Sequence, residues 1–125
     1  MGDAQVAAEL MLDRPKTMPA DATVAAVREQ LASPKMQMVL LADGPRFRGA
    51  VTAIPAEAGA EEPALGNADP EPDTIAPDAP AAVAFERTVA SRHRRVIVVD
   101  GGGNLLGLLC LDPTRTRFCQ TPSRA

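Results

Sequence analysis

Few of the 125 residues could do chemistry. The only histidine is His93, inside Arg92-His93-Arg94-Arg95, and the two cysteines are Cys110 and Cys119. Covalent catalysis needs a nucleophile beside a base that a third group orients, and no Ser-His-acid or Cys-His spacing is present. With one imidazole and no CxxC, a zinc site is not expected. The cysteines read as a buried thiol and an incidental tail thiol, because free cysteine packs as a small hydrophobe. Gly101-Gly102-Gly103 lacks the Lys-Ser/Thr of a phosphate-binding loop, and it joins strand to strand rather than strand to helix. His93 reads as a helix-end residue. These residues point away from an enzyme and towards binding.

The elements that must position any binding group start with Arg94 to Leu111. Val96-Ile97-Val98-Val99, a glycine-rich break and Leu105-Leu106-Gly107-Leu108-Leu109 predict a β-hairpin, glycine supplying positive φ in the turn. Both runs are apolar on both faces, so helices must cover the hairpin. An earlier hairpin is predicted from Met36 to Leu41 and Gly49 to Thr52. Pro15, Thr17, Asp21, Asp43 and Gly44 recur at a constant offset as Pro72, Thr74, Asp78, Asp100 and Gly101. After one extra turn residue, Gly49 and Pro55 recur as Gly107 and Pro113. The chain is a tandem duplication.

Each repeat is too small to hold a core alone, so the two are expected to form one domain. The boundaries fall at 4–55 for the first repeat, 56–71 for a linker, 72–114 for the second repeat and 115–125 for a polar tail. Ala4 to Leu12 predicts a short amphipathic helix. Asp21 and Thr23 are candidate N-caps for a helix reaching Ser33, with Val24, Val27 and Leu31 buried. A second helix, from Pro80 to Ser91, buries Ala84, Phe85, Thr88 and Val89, and the cations after it suit the negative end of its dipole. The stretch from Pro55 to Asp73, which takes in the linker, carries Pro55, Pro63, Pro70 and Pro72 among carboxylates and no basic residue, which favours a mobile segment. One helical turn near Glu61 to Leu65 would mirror the opening helix.

The chain is 46% hydrophobic but has no Trp or Tyr, and its formal net charge is −3. Little aromatic surface and a negative charge argue against general nucleic-acid binding. No apolar run approaches a membrane span, and the first residues lack the basic and apolar regions expected of a signal peptide. The expected location is cytoplasmic, with neither nucleic acid nor membrane as partner.

Pro72-x-Thr74-Ile75-x-Pro77-Asp78-Ala79, a helix, Arg94-Arg95-Val96-Ile97-Val98-Val99-Asp100 and Gly107-Leu108-Leu109 together resemble a CBS (cystathionine β-synthase) domain. Residues 15 to 52 resemble a second. The resemblance implies an α/β (α+β) Bateman module, in which tandem β-α-β-β-α repeats pair about a pseudo-twofold axis with clefts at the interface. Members bind adenosine compounds such as AMP, ADP, ATP or S-adenosylmethionine there, and modules associate as dimers. A homodimer is therefore expected, as is a separate effector protein.

By the same resemblance, Thr17 and Thr74 contact the ligand from the segment before the first strand, while Met38-Val39 and Arg95-Val96 line the base pocket. The family places Gly, two apolar residues and Thr or Ser at the last strand's end, then Asp three positions on. Here Thr52 keeps the hydroxyl, but Pro55 stands at the carboxylate position. In the second repeat Cys110 replaces the hydroxyl and Pro113 the carboxylate, with Asp112 one residue early and about 100° away on a helix. Both sites look degraded for nucleotide. Two readings follow: a sensor of an adenosyl or other small anionic ligand, or a ligand-free dimerisation and interaction module. Packing or capping is the plainer explanation of the Thr, Met and Val positions, and a solvated helix end that of the arginines.

Overall fold

The computed structural model describes residues 5–13, 15–33, 38–91, 93–112, 114 and 118. Within it the chain forms two compact units, Lys16–Pro72 and a discontinuous one made of Met1–Pro15 with Asp73–Ala125. The second is discontinuous because the opening residues pack on the second repeat.

In the continuous unit, β2 (Thr17–Pro19) precedes α2 (Val24–Leu31), and β3 (Val39–Asp43) and β4 (Arg46–Val51) form the first hairpin. The sheet order is β2-β3-β4, with β2 parallel to β3 and β3 antiparallel to β4. Of the two candidate caps Thr23 is used, its Oγ1 accepting from the Ala26 N–H at 3.3 Å. Val24 and Val27 on α2 bury against Val39, Leu41 and Val51, with Leu31 packed beside them. The opposite face of the hairpin, Leu40, Ala42 and Ala50, is buried too. That is the outcome expected of runs apolar on both sides.

The discontinuous unit opens with α1 (Ala7–Leu10) and β1 (Leu12–Asp13), then resumes with β5 (Thr74–Ile75), α3 (Ala81–Ala90), β6 (Arg95–Val99) and β7 (Leu105–Cys110). Its sheet order is β1-β7-β6-β5. The opening helix is shorter than the sequence suggests, because Leu12 leaves it to pair with Leu108 across an antiparallel ladder. Ala84 packs with Ile75, Val96, Val98 and Leu109, and Thr88 is fully buried with its hydroxyl donating to the Ala84 carbonyl at 2.7 Å. In the hairpin turn Gly103 takes φ 85°. Asp100 Oδ1 accepts from the N–H groups of Gly102 and Asn104, each at 2.9 Å.

The linker between repeats is packed, contrary to the mobility its composition suggests. It holds a 3-10 turn at Ala64–Asn67, and Ala64 is fully buried with Leu65 and Ala68 against the first core. Its backbone is hydrogen-bonded at both edges: Val24 N–H donates to Glu62, Ala64 N–H to Ala22 and Asp69 N–H to Ala50. Alanine and leucine at three positions suffice, because buried backbone groups that find partners cost little.

The discontinuous unit repeats this pattern at the duplication offset. Ala7 N–H donates to Ala79 as Ala64 does to Ala22, and Ala81 N–H donates to Gln5 as Val24 does to Glu62. The isolated bridges Val6–Pro80 and Thr23–Pro63 match in the same way. Each repeat is thus covered by the segment that precedes the other repeat in the chain. The shared glycines leave room for the cover: a Cβ on Gly49 would lie 3.0 Å from Ala68 Cβ, and one on Gly107 would collide with Met11 Sδ and lie 2.8 Å from the Leu12 carbonyl oxygen.

Candidate functional site

The residues singled out in the first repeat gather at one end of its sheet. Thr17 opens β2 opposite Leu40, and Val39 opens β3 opposite Val51, so Met38 and Thr52 flank that last pair. Thr17 is exposed, and Met38 and Thr52 are half-buried. Val39 belongs to the core with Val24 and Val27, where it packs rather than presenting a face to solvent.

The second repeat makes the corresponding end from Thr74, Arg95, Cys110 and Asp112. Thr74 pairs with Ile97, and its carbonyl accepts from Arg87 Nη2 at 2.7 Å. Arg95 pairs with Cys110. Val96 is fully buried in the second core. Asp112 is half-buried and accepts from the Thr114 hydroxyl at 2.9 Å.

Cys110 is a correction. It is buried, as expected for a strand end, but it is disulfide-bonded and so offers no thiol. The chain has one other cysteine, Cys119, which lies outside the described residues. Spacing alone could not distinguish this from two independent thiols, since two cysteines do not make a disulfide framework.

Arg94 and Arg95 give this end its electrostatic character. Arg94 adopts φ 58°, a left-handed conformation that costs about 1 kcal/mol or more for a side-chain-bearing residue. Two bonds to one residue hold it there: its carbonyl accepts from Leu111 N–H at 3.0 Å, and its Nη1 donates to the Leu111 carbonyl at 3.0 Å. Arg95 is fixed by Ser91, whose Oγ donates to the Arg95 carbonyl at 2.8 Å, while Arg95 Nη1 donates to the His93 carbonyl at 3.0 Å. Burial, and then the adjacent Arg94 charge, lower the Arg95 guanidinium from its ordinary value. Among the described residues neither guanidinium is within ion-pairing distance of a carboxylate. Two adjacent cations held by neutral carbonyls keep their full attraction for an anion.

A groove of about 630 Å³ runs along β2 from Thr17 to Asp21 and reaches Ala42, Asp43 and Gly44. Its described lining carries Asp21 and Asp43 and no cation, and Arg48 Nη1 lies 3.8 Å from Asp43 Oδ2. Among the described residues no group of His, Cys, Asp and Glu is placed to hold a metal. No described helix is long and apolar enough to cross a membrane.

The family model for the CBS domain matches residues 67–112. That match runs from the last residue of the 3-10 turn through β5, α3, β6 and β7. The chain's mixed α/β fold matches that of solved CBS-pair proteins. It is similar to the pair domain of a candidate Mg2+ transporter from Shewanella oneidensis, at TM-score 0.72 and 18% identity over 86% of this chain, spanning 66% of that one. It is similar to the CBS-pair protein CBSX2 of Arabidopsis thaliana in complex with AMP, at TM-score 0.69 and 17% identity over 89% and 92% of the two chains. A CBS domain protein from Pyrobaculum aerophilum complexed with AMP gives TM-score 0.65 and 27% identity over 84% and 86%. A search of the curated proteins finds no match.

Sequence reasoning missed Arg28, whose Nη2 on α2 donates to the carbonyls of Pro55 at 2.7 Å, Ala56 at 3.2 Å and Ala58 at 3.2 Å. One guanidinium thereby anchors the start of the linker. The signal available was a cation on a helix that precedes a segment with no basic residue of its own.

Proposed function

We propose that this CBS-domain chain is a regulatory, non-catalytic module that senses an adenine nucleotide. The observation that carries the reading is the Arg94–Arg95 pair, two cations at the start of β6 with no carboxylate partner among the described residues. The hydroxyl of Thr74 begins the neighbouring strand, and Thr17 and Thr52 offer equivalent hydroxyls in the first repeat. Two proteins of the same fold were solved in complex with AMP, which supports adenosine as the common part of the ligand. The guanidiniums favour AMP, ADP or ATP over S-adenosylmethionine, whose sulfonium they repel.

Thermal-shift measurements test this on the intact chain. A nucleotide at a hundred times its Kd should stabilise by about 2.7 kcal/mol. The melting temperature should rise with AMP, ADP or ATP and stay put with S-adenosylmethionine. No rise with any of them at millimolar concentration would overturn the reading.

The prolines at 55 and 113, where the family's carboxylates would bind ribose, favour a second reading. In it the module has lost its ligand and serves as a homodimerisation or effector-binding surface. Concentration-independent monomers in sedimentation would remove the homodimer from this alternative.

A further inference from the structure

We propose that Ser91 is the positioning residue of the cationic end: it holds the backbone of Arg94 and Arg95 so that both guanidiniums are presented to one anion. This rests on the nucleotide reading only in taking those two arginines as the phosphate contacts. Ser91 closes α3 with φ −70° and ψ 135°, an extended residue that turns the chain towards β6. It is buried, so its hydroxyl serves the protein rather than a ligand.

The edge of β6 explains why a hydroxyl is needed there. Ile97 turns its N–H towards β5, where the Asp73 carbonyl accepts it at 2.8 Å. Backbone groups two residues apart in a strand point to the same edge, so those of Arg95 face that side as well. Thr74 and Ile75 of β5 pair with Ile97 and Val98, and among the described residues no strand pairs with Arg95 on that side. Its half-buried backbone groups still need partners. The Ser91 hydroxyl supplies both, donating to the Arg95 carbonyl at 2.8 Å and accepting from the Arg95 N–H at 3.3 Å. A hydroxyl donates and accepts at one atom, and a methyl group does neither. The Ser91 carbonyl also accepts from the Arg94 N–H at 3.2 Å, which helps hold that residue at its positive φ.

The duplication supplies an internal comparison. At the same offset Ser91 corresponds to Pro34, Arg94 to Gln37 and Arg95 to Met38. The first repeat therefore has neither the hydroxyl nor the cations at these positions, and the second has both. A serine needed only to join a helix to a strand would serve either repeat equally. Adjacent like charges also push apart unless the backbone that carries them is fixed, and Ser91 bonds the backbone of both.

The experiment titrates inorganic tripolyphosphate and ATP by calorimetry into the full chain, Ser91→Ala, Ser91→Thr, Arg95→Gln and the Ser91→Ala, Arg95→Gln double variant, with a denaturant melt of each. Ser91→Ala should weaken tripolyphosphate binding about fivefold or more. Ser91→Thr, which keeps the hydroxyl, should bind like the parent. In the Arg95→Gln background Ser91→Ala should cost no further affinity while lowering the melt as it does in the parent, since a positioning effect vanishes with the group it positions. Parent-like binding by Ser91→Ala, equal weakening by Ser91→Thr at a parent-like melt, or an undiminished further loss in the Arg95→Gln background would each overturn the proposal. A parent that binds tripolyphosphate and not ATP would overturn nucleotide sensing alone, with the role of Ser91 still decided by the variants. A parent that binds neither would overturn both.

Discussion

Gly107 carries more of the fold than its size suggests. A methyl group there would run into Met11 and the Leu12 backbone carbonyl, and a backbone atom cannot rotate away as a side chain can. Gly107→Ala should therefore cost about 2–3 kcal/mol, the upper part of the usual overpacking range. Gly49→Ala meets only the Ala68 and Leu65 side chains, at 3.0 and 3.1 Å, and should cost about 1 kcal/mol. Denaturant melts of the two variants check the order; equal costs would mean that the two covers yield equally. Asp100 allows a pH prediction. Hydrogen bonds, first from the Asn104 N–H and then from its side chain, hold the Asp100 carboxyl below its ordinary value. A depressed acid stabilises the fold above its unfolded pKa, and that contribution disappears as pH falls through the lower folded value. Stability should therefore drop below about pH 4, and Asp100→Asn should lose that part of the acid dependence.

At the scale of elements, the repeated hairpins were legible because β-branched runs broken by glycine have few other readings. The duplication was legible because Thr17, Asp43 and Gly49 return in order as Thr74, Asp100 and Gly107. The exchange of covers was not. Strands as short as Leu12–Asp13 have no measurable period, and residues 62–68 look like linker because backbone hydrogen bonds, invisible in composition, hold them. Two variants test this layer. Arg28→Met keeps the aliphatic stem but loses three partly exposed carbonyl contacts, so it should cost about 1 kcal/mol and speed hydrogen exchange in residues 58–64 selectively. Deleting residues 1–13 strips the antiparallel partner from Leu108 and Gly107 and removes Ala7, Leu10 and Met11 from the second core. The loss should be at least about 3 kcal/mol, with an exposed β7 edge that promotes aggregation. An unchanged melt would show that the opening segment is dispensable.

Across the whole molecule, the candidate site was legible as position rather than as chemistry. The order of motifs placed Thr17, Thr52, Thr74 and Arg95 at strand ends, and the sheets keep them there. Val39 and Val96 turned out to be packing residues, and Cys110 a cross-linked one, because an apolar or sulfur side chain at a strand end gives no sign of which partner it will find. What remains for a ligand is a pair of cations and a few hydroxyls without the usual carboxylates. That balance suits phosphate better than ribose. The affinity should come mostly from charge, fall with salt and depend on both arginines.

Calorimetric titration of ATP and AMP into the intact chain, at low and at physiological salt, tests this most directly. Saturable binding with a Kd below millimolar is expected, weaker in salt and weaker by roughly ten-fold or more in the Arg94→Gln, Arg95→Gln double variant. Binding that ignores both salt and the two substitutions, or no saturable heat at millimolar nucleotide, would contradict it.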